Sequence, residues 1–87
     1  MTIKEAERQK EKLVFGIIAV AAQNGVSKAR LKREAFSSYA TGNRRLEGRY
    51  DEITIGDIFN MARICRCTPA QFIAQAAENI SKGKAGH

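Results

Sequence analysis

The stretch Ser37–Arg49, SSYATGNRRLEGR, carries an aromatic, an amide and three arginines in a segment almost without apolar side chains. These residue types suit the edges of nucleic-acid bases. Asn43 offers the paired donor and acceptor that match adenine in the major groove, and Arg44 the parallel donors that match guanine. Tyr39 and Thr41 can meet thymine methyls or phosphate, and Ser38 completes the candidate base-contacting set. Ser27, Lys28, Lys32, Arg45 and Arg49 are the candidates for the sugar-phosphate backbone, whose contacts orient a protein but carry little sequence information. Plainer roles are open for the same side chains. Tyr39 can wedge one helix against another, Asn43 can bond within its own helix, and either Arg44 or Arg45 can pair with Glu47.

Charge supports the polyanion reading. The chain has a formal charge of +6, and seven cations against Glu34 and Glu47 place +5 of it between Lys28 and Arg49. A cationic patch on a small domain points to a polyanionic partner, against the bland alternative of a solvated surface. Catalysis is not expected. No nucleophile–base pair is visible, Asp51, Glu52 and Asp57 form no catalytic pair, and the lone histidine, His87, stands at the far end. Cys65 and Cys67 fall short of a zinc ligand set and read as small apolar fillers. Neither a cofactor nor a metal nor a small-molecule substrate is implied. The apolar run Leu13–Ala22 is about half the length of a membrane span. No targeting segment is evident, so a cytoplasmic location is expected.

The elements that must position these residues follow from periodicity and caps. A length of 87 residues allows one domain. Residues 1–12 form a charged helical lead-in or arm. Residues 13–79 form the folded domain, with a turn motif at about 27–47, and residues 80–87 a flexible tail. The first core helix, Leu13–Gln23, carries Leu13, Ile17, Val20 and Ala21 on one face, with Val14, Phe15 and Ile18 outside that stripe. Such an apolar helix needs cover on more than one side, from the C-terminal helix or a second subunit. Asn24-Gly25 ends it. Ser27 caps a second helix, Lys28–Phe36, with Leu31 and Ala35 inward. Ser37 or Ser38 caps a third, Tyr39–Leu46, anchored by Ala40 and Leu46 and stopped at Gly48. Thr54 caps a fourth, Ile55–Cys65, with Ile55, Ile58, Met61, Ala62 and Cys65 on one face. Thr68-Pro69 opens a fifth, with Phe72, Ile73 and Ala76 inward. The expected fold class is all-α: a compact bundle of about five helices containing a helix-turn-helix.

The segment Val26–Arg49, VSKARLKREAFSSYATGNRRLEGR, resembles the helix-turn-helix core of the Cro/XRE family, which includes phage repressors. RRLEGR followed by DEITIGDIFNMARICRCTPAQFI is similar to the ending seen in repressors of actinobacterial phages. The resemblance covers about residues 13–75, with Ala62 and Thr68-Pro69 at family positions. It implies a lambda repressor-like domain that binds double-stranded DNA as a homodimer and represses transcription by occupying an operator. An antitoxin, an excision factor, or a protein-interaction module using the first helix are the alternatives. Three positions depart from the family pattern. Gly42 replaces a buried aliphatic and implies a gap and a loose helix. Lys32 replaces a small alanine and must snorkel or face out. Arg66 stands where a left-handed glycine is usual and implies strain there.

Overall fold

The computed structural model describes the backbone of residues 2–85 and the side chains of residues 2–79. The elements are five α-helices and one 3-10 turn: α1 (Ile3–Gln23), α2 (Lys28–Glu34), α3 (Tyr39–Leu46), the 3-10 turn Tyr50–Glu52, α4 (Ile55–Ile64) and α5 (Pro69–Ala85). No strand occurs among the described residues. The expected all-α bundle is the fold observed.

The charged lead-in and the first core helix are one continuous helix of 21 residues, capped by the Thr2 hydroxyl, which accepts from the Glu5 amide. Good helix formers and the Glu7–Lys10 pair carry the helix through the solvated first half. The second half buries Val14, Gly16, Ile17, Val20 and Ala21. Val14 therefore belongs to the inward stripe, whereas Leu13 and Ile18 are only partly buried against it. α5 covers this face and forms with α1 the most extensive helix pairing in the molecule. Phe72 and Ala76 of α5 are fully buried there, and Gln23 donates to Asn79 at 2.8 Å at the far end of the pair. The apolar surplus of α1 is thus satisfied within the chain. Phe15, at 54% exposure, and Ile3, at 83% in the solvated first half, are left largely outside.

Helix ends are set by the residues expected to set them. The Ser27, Ser38 and Thr54 hydroxyls accept from the third helical amide of α2, α3 and α4. Thr54 and Asp57 form a reciprocal capping box, and Thr68 and Gln71 do the same at the start of α5. Gly25, at φ 75°, closes α1 with the Val26 amide donating to the Ala21 carbonyl at 2.8 Å. The α4–α5 corner repeats this closure with Arg66 at φ 60° and the Cys67 amide on the Ala62 carbonyl. A side chain in that left-handed region is unfavourable relative to glycine, so the strain expected at Arg66 is present.

Several boundaries and faces differ from expectation. α2 stops at Glu34, because Phe36 leaves the helical path and turns its ring under α3, where it is buried. Ile55, expected inward, is 74% exposed because it opens α4 ahead of the buried turn at Met61 and Ala62. The backbone stays helical to Ala85, where a tail from residue 80 was expected. His87 lies outside the described residues. Cys65 is buried and Cys67 half-buried, both free thiols. Burial, and then the neighbouring Cys67, push the Cys65 thiol above its ordinary value. Among the described residues no helix is long and apolar enough to cross a membrane.

Candidate nucleic-acid interface

α2 and α3 are separated by four residues, Ala35–Ser38, and pack against each other. Their approach is closest at Gly42. A Cβ built there would lie 2.5 Å from the Lys32 carbonyl oxygen, 2.7 Å from its Cα and 2.9 Å from the Phe36 ring. Gly42 is buried, and the position has no room for even a methyl group. The gap and loose helix expected here are therefore not found; α3 presses its backbone directly onto α2.

Gly42 and Leu46 define the inner side of α3. Its outer side presents Tyr39, Ala40, Asn43, Arg44 and Glu47, all exposed. Ala40, expected to anchor the helix inward, instead sits in the middle of the outward face. Gly42 is four residues from Leu46 and shares its face, whereas Ala40 is six away and does not, and the close approach of the α2 backbone requires a residue without a side chain at the inward position. Ser38 and Thr41 stand at the start of the helix with their hydroxyls bonded to each other at 3.1 Å.

The cations of the segment are placed by carboxylates. Glu47 holds Lys28 at 2.7 Å and Lys32 at 2.6 Å. Those two lysines, Lys28 first, pull the Glu47 carboxyl down to about 2. Lys32 is only 7% exposed. Its Nζ also donates to Asn43 Oδ1 at 2.9 Å and lies 5.9 Å from the Tyr39 ring centroid. Expected at the DNA backbone, Lys32 is instead an internal strut that fixes Asn43 with its amide oxygen inward. Arg45, also expected at phosphate, turns to the opposite side and donates to Asp57 at 2.8 Å. Asp57 is buried and accepts in addition from the Thr54 amide at 2.9 Å. The Arg45 guanidinium thereby joins α3 to the start of α4, while its buried Nε has no hydrogen-bond partner.

Arg44 and Arg49 stay on the outer surface. The Arg49 amide donates to the Arg44 carbonyl at 3.1 Å, which closes the end of α3 and brings the two arginines together. Glu52, one 3-10 turn further on, accepts from both side chains. The carboxyl of Glu52 is lowered by Arg44 first and Arg49 second. Arg30 pairs with Glu34 at 3.0 Å. Among the described residues Arg33 is the one cation of the Lys28–Arg49 segment without an ion pair, and it is exposed. Ala40 and Arg33 are thus surface residues of this region outside the expected set. Ala40 had no chemical signal, and Arg33 was one of seven indistinguishable cations.

The geometry brings Ser38, Tyr39, Thr41, Asn43 and Arg44 onto one helix, with Lys28 and Arg49 at its far end. Ser27 caps α2 on the Arg30 amide and remains exposed. A face of this kind offers directional donors and acceptors between flanking cations. No protein-family model, curated protein or solved structure matches this chain.

Proposed function

We propose that this chain is a sequence-specific double-stranded DNA-binding transcriptional regulator, of the phage repressor or Cro-like kind, that acts by occupying its operator in the cytoplasm. The observation that carries this reading is the outward face of α3: Tyr39, Asn43 and Arg44 grouped around the small Ala40, on a helix joined to α2 by a four-residue turn. That layout lets a helix enter the major groove with base-directed groups foremost. Arg44 suits guanine, and Asn43, whose Oδ1 is held by Lys32, leaves its amide N–H groups for acceptors on the base edges. Tyr39, Thr41 and Ser38 line the entering end, and Lys28, Arg49 and Ser27 serve the backbone. Lys32 and Arg45 act from within, by holding Asn43 and α4. The resemblance of Val26–Arg49 to Cro/XRE helix-turn-helix proteins agrees with this assignment.

A single short helix reads few base pairs, so the proposal includes a homodimer on an inverted repeat. The case for it rests on reading length and not on α1, whose apolar face α5 covers. Selection of bound duplexes from a random pool at near-physiological salt tests both parts. The expected product is an inverted repeat with half-site centres about 10 base pairs apart. Arg44→Ala should relax one position in each half, costing about 1–3 kcal/mol of discrimination there. A lone half-site would remove the dimer; no enrichment at all would remove the DNA reading.

One observation favours a second reading. Ile55 and Phe59, four residues apart on α4, are both exposed, which suits a protein-interaction module. In that case partner binding is lost with Phe59→Ser and unaffected by Arg44→Ala.

A further inference from the structure

Glu52 has no role in direct base or phosphate recognition, yet it is bonded to both outer arginines. The 3-10 turn Tyr50–Glu52 brings its carboxylate within hydrogen-bond distance of Arg44 and Arg49. Each oxygen takes one arginine: Oε1 accepts from Arg44 Nε at 2.9 Å, and Oε2 from Arg49 Nε at 3.0 Å. The carboxylate is recessed, with 28% of its side chain exposed against 53% for Arg44 and 62% for Arg49. Both bonds use Nε. Among the described residues neither arginine makes another side-chain hydrogen bond. The Nη1–Nη2 edge of each guanidinium is therefore unspent, and that edge carries the two parallel N–H groups that guanine O6 and N7, or two phosphate oxygens, accept.

Two consequences follow from elementary chemistry. An arginine already tied at Nε has less rotamer freedom to lose when it binds, so its directional contact is favoured. The same negative charge offsets part of the attraction of both guanidiniums for any phosphate, whatever the sequence. The two arginines, Arg44 first, hold the Glu52 carboxyl below the usual carboxylate range.

We infer that Glu52 is a specificity-determining positioning residue: it aims Arg44 at a base and Arg49 at the backbone, and it suppresses binding to DNA of arbitrary sequence. This rests on the DNA-binding reading above.

The full chain, with Glu52→Ala, Glu52→Gln and Arg44→Ala variants shown to be folded by thermal melting, is taken through duplex selection and then titrated with the selected and a scrambled duplex. Arg44→Ala identifies the base position that Arg44 reads. At that position Glu52→Ala is expected to reduce base preference about 5- to 10-fold, within the range for loss of an aligned bidentate contact. Its affinity for the scrambled duplex is expected to rise about 2- to 5-fold, as a charge opposing the phosphates is removed. Glu52→Gln, which retains one acceptor oxygen, should fall between and serves as the readout if the alanine variant does not fold. A purely structural role lowers both affinities in parallel and leaves the base preference intact; that result overturns the inference while leaving the DNA reading in place. If the wild type selects no motif, the DNA reading fails and this inference fails with it.

Discussion

The α1–α5 pair and the α2–α3 pair are built on different physics. The first is held by apolar packing: Val14, Ile17, Val20 and Ala21 against a face that buries Phe72 and Ala76. The second has a thin apolar seam of Leu31, Ala35, Phe36 and Leu46. Around that seam stand a backbone-to-backbone contact at Gly42, a buried lysine, and ion pairs through Glu47, Glu52 and Asp57. Apolar burial is proportional to area and indifferent to direction, so it secures a scaffold. Charge-assisted hydrogen bonds are directional, so they fix where individual side chains point. The half of the molecule that carries the proposed DNA-contacting face is the half that uses them.

The scaffold should be the more costly half to disturb. Phe72→Ala removes a ring that is completely buried, at a cost of about 3–5 kcal/mol. In a domain of this size the thermal midpoint should fall by about 15–30 °C, read by far-ultraviolet circular dichroism. A fall of only a few degrees would mean that the α1–α5 interface collapses readily around the loss and that apolar packing is not what distinguishes this pair from α2–α3.

Gly42→Ala examines the other half by opposing two effects. Alanine gains about 1 kcal/mol of helix propensity over glycine. Its Cβ would however meet Lys32 backbone atoms at 2.5 and 2.7 Å, and backbone cannot step aside as a flexible side chain can. Overpacking of this kind costs about 1–3 kcal/mol, so the net result should be a modest loss and, under the proposed function, weaker DNA binding because α3 must tilt. A gain in stability would show that α2 and α3 separate without penalty.

These two pairs were also unequally legible in the sequence. The cap residues Ser27, Ser38, Thr54 and Thr68 and the apolar spacing of α1 and α5 are local signals, and they located every helix. The faces of α3 were harder, because Leu46 is its one large buried apolar residue and the seat of Gly42 on the Lys32 backbone shows only in space. Arg30–Glu34 and Arg49–Glu52 stand at local spacing, but the ion pairs that fix α3 against its neighbours carry no local signal. Lys32 and Glu47 are 15 residues apart and Arg45 and Asp57 are 12 apart, at no helical spacing. Seven cations in one segment therefore looked like a single basic patch, while the carboxylates that sort them into exposed groups and internal struts come partly from beyond it, at Glu52 and Asp57.

The smallest expected effect isolates those carboxylates by pH. Glu47, held near 2 by Lys28 and Lys32, and Glu52, lowered by Arg44 and Arg49, both have folded pKa values below the ordinary value of 4.5. The unfolded chain then takes up protons first as pH falls, so their contribution is complete above about pH 4.5 and declines toward pH 2. The α2–α3 unit depends on these groups and the α1–α5 pair does not. Amide exchange followed by NMR from pH 6 downward should show protection in Tyr39–Leu46 weakening before that in Val14–Ala21, after correction for the intrinsic rates. Glu47→Gln should flatten the pH dependence of α3 and leave that of α1 unchanged. Parallel loss in both segments, with no response to the substitution, would mean that the ion pairs are surface decoration and that the apolar seam alone holds α3 in place.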